Sequence, residues 1–129
     1  MGFLMDLGDI LVKMIVNKSK NKIISAKEAI CGSFSCKAVG LMFSPRPKTL
    51  FFMFSREQKL GLHMLFVFFP IDLIFLDSMF RVVELKERFL PFTFYNSKQK
   101  AKYVIELPSG SIKKSRTTVG DTVMFKRER

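Results

Sequence analysis

The chemistry open to this chain of 129 residues rests on one histidine, two cysteines and a few carboxylates set among apolar residues. His63 stands at the mouth of an apolar run with Met64 beside it. As a general base it would need a nucleophile or an orienting carboxylate, for which Asp72 and Asp77 are the options; the alternative is a partly buried structural histidine. Asp72, within Phe69-Pro-Ile-Asp-Leu73, is the most unusual residue of the chain. A buried carboxylate costs several kcal/mol unless it is hydrogen-bonded or paired. Either Asp72 accepts backbone N–H groups at a turn or bulge, or it is a cleft carboxylate with Asp77 or Glu106 as partner. A carboxylate pair doing glycosidase-like chemistry would require a defined separation, which spacing along the chain does not supply. Glu106 is otherwise read as one half of a cross-strand ion pair with a lysine.

Cys31 and Cys36 are five residues apart, with no second cysteine pair and a single histidine, so a four-ligand zinc site is not expected. Both thiols are read as reduced and structural, in a cytoplasmic protein, since Asp6 and Asp9 stand where a secretory signal would carry positive charge. The most apolar stretch, 60–76, is interrupted by His63, Pro70 and Asp72 and is read as buried strands, not a membrane span. No phosphate-binding loop, dinucleotide fingerprint or nucleophile elbow occurs, no cofactor is expected, and the balance leans away from an enzyme.

Charge points to partners instead. Twenty-two Lys and Arg oppose eleven acids, a net charge of +11 that favours anionic partners. The segment from Asn96 onward is the densest basic stretch, and Lys113, Lys114 and Arg116 are the candidate anion-binding residues within it. Nucleic-acid binding would also ask for exposed aromatic rings, with Tyr95 and Tyr103 as the options. The fifteen Phe, against two Tyr and no Trp, read as dry packing and not as recognition.

The elements that must position these residues are mostly strands. Residues 10–16 and those from Ile23 onward form a hairpin about a polar turn at 17–21. Helical spacing across 33–43 predicts a short helix, and Ser44-Pro-Arg-Pro47 a loop. Apolar runs at 50–54, 63–69 and 71–76 read as buried strands, with a turn at 56–61 and a bend or bulge at Pro70 and Asp72. Strands are expected at 80–85 and 89–95. Residues 102–107 alternate Tyr103, Ile105 and Leu107 with Lys102, Val104 and Glu106. Ser109 is placed to cap a short basic helix reaching Arg116, before a last strand at 123–125.

Three phrases then carry a resemblance: Gly40-Leu-Met-Phe43, the run from His63 through Pro70-Ile-Asp72 to Asp77, and Ala101 to Gly110 followed by Val119-Gly-Asp121. In this order they resemble the domain-of-unknown-function family one hundred and ninety-two (DUF192) in its short archaeal form, over about two-thirds of the chain, from Cys36 to Phe125. The resemblance implies a compact β-sandwich of jelly-roll type with one or two short helices, and no established activity. Bacterial relatives carry Trp-Met-Lys-Asn-Thr where this chain has His63, Met64, Leu65, Phe66 and Val67. If those polar groups serve a site, it is altered or absent here.

The expectation is therefore one mainly β domain spanning residues 1–129, ordered from about 11 to 125. Its first functional reading is a non-enzymatic module that holds a small ligand or peptide in a cleft formed by His63, Met64, Asp72 and Asp77. The alternative is an accessory protein that binds nucleic acid or another polyanion through the basic face after Asn96.

Overall fold

The computed structural model describes residues 11–26, 29–32, 49–64 and 67–127. The chain runs through β1 (Leu11–Asn17), β2 (Lys22–Ser25), β3 (Ala29–Gly32), β4 (Leu50–Gln58), β5 (Gly61–His63), β6 (Ile71–Leu76), β7 (Val82–Phe89), β8 (Phe94–Asn96), β9 (Ala101–Pro108), the helix α1 (Ser111–Ser115) and β10 (Val123–Arg127). Eight strands form one sheet in the order β10-β1-β3-β4-β9-β6-β7, with β2 also paired to β1; β5 and β8 form a separate two-stranded ribbon. Neighbouring strands are antiparallel except β3 and β4, which run parallel. The two ends of the sheet meet at an antiparallel bridge between Arg81 and Thr122, so it curls most of the way round on itself.

Curling gives the sheet two covered faces. On one face Ile15, Phe51, Ile74, Tyr103, Ile105, Val123 and their neighbours form a core closed by Ile112 of α1. On the other, Phe52, Leu73, Phe75, Phe89 and Val104 pack beneath the ribbon, which contributes Leu62, and the flanking Leu60, Met64 and Val67. Strand β6, paired on both sides by β9 and β7, is buried at all six positions as a result. Each of its five apolar side chains contributes roughly 1.5–3 kcal/mol of burial, so a strand covered on both sides gains about twice what a half-wet strand would, while Asp72 must be satisfied by hydrogen bonds.

The expectation of one mainly β domain holds, including the β1–β2 hairpin, the strand at 71–76 and the short basic helix. Several boundaries differ. The turn placed at 56–61 begins later, because β4 extends to Gln58. The strand expected over 63–69 stops at His63, and that over 89–95 shrinks to Phe94–Asn96 behind a turn at Pro91 and Phe92. On β9 the side read as polar is buried at Val104 and Glu106, because that face lies in the second core. The helix expected over 33–43, the Pro loop and the Gly40-Leu-Met-Phe43 phrase lie outside the described residues, as do Cys36 and the side chain of Cys31.

Candidate functional site

Asp72 is 1% exposed and sits at a register shift between β6 and β7. Its Oδ1 accepts the Arg88 N–H at 3.0 Å, and its Oδ2 accepts the N–H groups of Gly110 at 3.1 Å and Ile112 at 3.0 Å. The last two belong to the start of α1, where Gly110 is the N-cap in a left-handed conformation (φ 96°) with no capping side chain of its own. The cap expected from Ser109 is thus supplied by Asp72 from β6, the strand paired with β9, and a carboxylate is the favoured charge at that end of a helix. Both oxygens are committed to the fold, the first of the two roles open to this residue.

The other motif carboxylates behave alike. Asp77 Oδ1 accepts the N–H groups of Met79 and Arg81, each at 2.9 Å, and closes the β6–β7 turn. Asp121 binds Asn17 Nδ2 at 2.8 Å, Lys20 Nζ at 2.7 Å and the Thr118 N–H at 2.9 Å, clasping the β1–β2 hairpin to the approach of β10. Burial pushes the Asp121 carboxyl up, but the Asn17, Lys20 and Thr118 hydrogen bonds outweigh it and hold the pKa down to about 2. Asn17, fully buried, completes the clasp through Thr117 Oγ1 at 3.1 Å. On β7, Glu84 accepts the N–H groups of Lys98 and Gln99, each at 2.8 Å, and a short hydrogen bond from the Tyr95 hydroxyl. Burial first, then Glu84, raises the Tyr95 hydroxyl to about 12.

These placements separate the residues expected to share a cleft. Met64 lies in the second core, and Asp72 beneath α1. Asp77 is five positions further on, just past the end of β6, roughly 16 Å away at the rise of an extended strand. His63 is half-buried on the ribbon, opposite Phe94. Glu106, 6% exposed, stands on β9 opposite Leu50 and Leu73. The basic residues divide as well. Lys98, Lys100 and Lys102 stand at the entry of β9, while Lys113, Lys114 and Arg116 stand beyond its exit, the length of the strand apart. Tyr95 and Tyr103 are held in the cores and are not free to stack on bases.

A groove of about 620 Å³ opens elsewhere, between β2, Thr49 and the β9–α1 turn. Ile23, Ile24, Leu107 and Pro108 provide apolar walls. The Ser25 and Thr49 hydroxyls lie 3.2 Å apart on one side, and Ser109, Ser111 and Lys114 line the other. None of the described lining residues is acidic. Of this site only Lys114 was expected from the sequence to bind a ligand, Ser109 being read as a helix cap, because Ser25 and Thr49 are joined through pairing that no local pattern announces. Three exposed rings also went unrecognised: Phe68, Phe92 and Phe94 are 60%, 49% and 70% exposed, against the reading of Phe as packing.

Comparison with known proteins sets this geometry in a family. The DUF192 model, described as "Uncharacterized ACR", matches residues 14–125, starting well before the Cys36 boundary of the sequence resemblance. A UPF0127 protein of Thermococcus sibiricus is 38% identical over 118 residues, covering 89% of this chain and 76% of the relative. Another from Pyrococcus horikoshii is 38% identical over 114 residues, covering 87% and 98%. Among solved structures, a Sinorhizobium meliloti protein proposed to be a transcription regulator superposes with a TM-score of 0.77 at 20% identity, over 90% of this chain and 92% of that one. A protein of unknown function from Novosphingobium aromaticivorans superposes with a TM-score of 0.70 at 18% identity, over 89% and 83%. These two establish a shared fold. With most of its length inside the family model and archaeal relatives at this identity, the chain belongs to the DUF192 family.

Proposed function

We propose that this protein is a non-enzymatic binding module for a small amphipathic anion, a carboxylate or phosphate on a short apolar body, held in the groove between β2 and the β9–α1 turn. The observation that carries this reading is the pairing of an apolar wall at Ile23 and Leu107 with Lys114 and four hydroxyls, without an acid among the described lining residues. A volume of about 620 Å³ is in the usual range of small-molecule sites. The commitment of Asp72, Asp77 and Asp121 to backbone and clasp hydrogen bonds supports binding over acid–base catalysis. A cytoplasmic location is part of the proposal and rests on the reduced reading of the two cysteines.

The test is thermal unfolding in the presence of octanoate or inorganic phosphate. A ligand that binds only the native state raises the melting temperature with its concentration. The wild type should rise with octanoate and Lys114→Glu should not. Equal rises in both proteins, or none in the wild type with either compound, would refute the reading.

A second reading, polyanion binding, is favoured by one observation: α1, with exposed Lys113 and Lys114 and exposed Arg116 at its C-cap, packs beside β2, where Lys22 is also exposed. It predicts retention on heparin that falls when Lys113 and Arg116 are changed to Glu with Lys114 kept; unchanged elution would sink it.

A further inference from the structure

The sequence Leu90-Pro-Phe-Thr93 makes a tight turn with Phe92 in the left-handed region at φ 60°. Pro at the first central position and a positive φ at the second is the pattern of a type II turn, which favours glycine where Phe92 stands. A bulky residue at positive φ is a true outlier and carries strain. Phe80 has a similar φ of 62°, but its ring stacks on Tyr103 with centroids 4.6 Å apart inside the first core, so packing offsets the strain. Phe92 gains no such burial. Its ring is half-exposed and meets Phe68 edge-on, with centroids 5.5 Å apart and planes at 72°.

The turn is nevertheless firmly held. Met64 O accepts the Phe92 N–H at 2.8 Å, Met64 N–H donates to Thr93 O at 2.8 Å, and Thr93 Oγ1 donates to Leu90 O at 2.6 Å. Phe94 follows on β8, opposite His63. The fold therefore holds Phe68, Leu90, Phe92 and Phe94 at one end of the ribbon with their apolar surfaces out in water, one of them at the cost of backbone strain.

We propose that this tip is a membrane-docking surface that inserts its phenylalanine rings into the interface of an anionic lipid bilayer. Phe92 protrudes from the turn with Phe68 and Phe94 exposed beside it, which suits a soft apolar phase. Phe68 and Phe92 meet edge to face, which is not the parallel platform on which successive bases stack and argues against nucleic acid as the occupant. A charge of +11 on every copy opposes self-association and attracts an anionic surface. Arg88 and Glu87, both exposed just before Leu90, balance each other, so the attraction comes from the field of the whole molecule.

The experiment is cosedimentation of the full chain with phosphatidylcholine vesicles, with and without phosphatidylserine. The wild type should partition to the phosphatidylserine vesicles. Phe92→Gly, which relieves the strained turn and should fold with near-native stability, should lose partitioning by about tenfold, the effect expected when one ring no longer leaves water. Phe94→Ser should lose a similar factor and serves as a second variant with the turn intact. Unchanged partitioning of both variants would overturn the proposal. So would a wild type that ignores both vesicle types, whether or not the rings instead support binding to oligouridylate or a dimer that Phe92→Gly dissolves.

Discussion

Replacing Asp72 by alanine strips three backbone N–H groups of their acceptor at once: Arg88, Gly110 and Ile112. A hydrogen bond to a charged group contributes about 1.5–3 kcal/mol, so simple addition would give roughly 5–9 kcal/mol. Two corrections reduce that figure. The Arg88 and Gly110 groups are only part-buried and can turn to water, and the cost of burying the carboxylate disappears with it. The buried Ile112 N–H has no such escape. A net loss of about 3–4 kcal/mol is expected, a large share of the roughly 5–15 kcal/mol that holds a domain together. Urea unfolding should show a lower midpoint at unchanged slope. Asp72→Asn should fall between, since an amide oxygen can keep the two α1 donors while its NH₂ confronts the Arg88 N–H, a loss of about 1.5–2 kcal/mol. An alanine variant within about 1 kcal/mol of wild type would refute the reasoning and return Asp72 to the list of residues kept for a ligand.

Asp121 makes stability depend on pH in a defined window. Its folded pKa of about 2 lies below the ordinary 3.8, so its contribution is complete above pH 3.8 and is lost as pH falls toward 2; acid unfolding of Asp121→Asn should lack that step. Tyr95 has the opposite sign: with its folded pKa raised from 10.0 to about 12, its contribution is present below pH 10 and fades as pH rises through 12, a decline that Tyr95→Phe should remove. The same variant at neutral pH should lose only about 1–2 kcal/mol by urea unfolding, because Glu84 keeps the Lys98 and Gln99 N–H groups. Phe92→Gly should remain within about 1 kcal/mol of wild type in the same assay, since relief of the left-handed strain and the added freedom of glycine in the unfolded chain oppose each other.

The strands were legible where composition and burial agree, as in the apolar run of β6 or the polar turn between β1 and β2. Legibility failed where a second layer intervenes. Glu106 alternates as a wet-face residue should, yet the ribbon that buries its face comes from two segments over thirty positions apart. The role of Asp72 was within reach, as a carboxylate at a bulge accepting N–H groups, but its donors at Gly110 and Ile112 are set by pairing between β6 and β9. The groove has the same origin: Ser25 and Thr49 become neighbours only when β2 and β3 both pair with β1 and β4 pairs with β3. Phe68, Phe92 and Phe94 misled for a different reason. Phe is apolar wherever it stands, and the left-handed φ of Phe92 and the position of Phe94 at the start of the short β8 have no signature in the sequence.

The most direct test of the account is a ¹⁵N amide titration of the full chain with octanoate. It predicts saturable shifts at Ser25, Thr49 and Ser109 through Lys114, abolished by Lys114→Glu, with His63 and Asp77 unmoved. Shifts centred on His63 and Asp77 and retained in Lys114→Glu would contradict it, and would move the binding site back to the family's altered phrase.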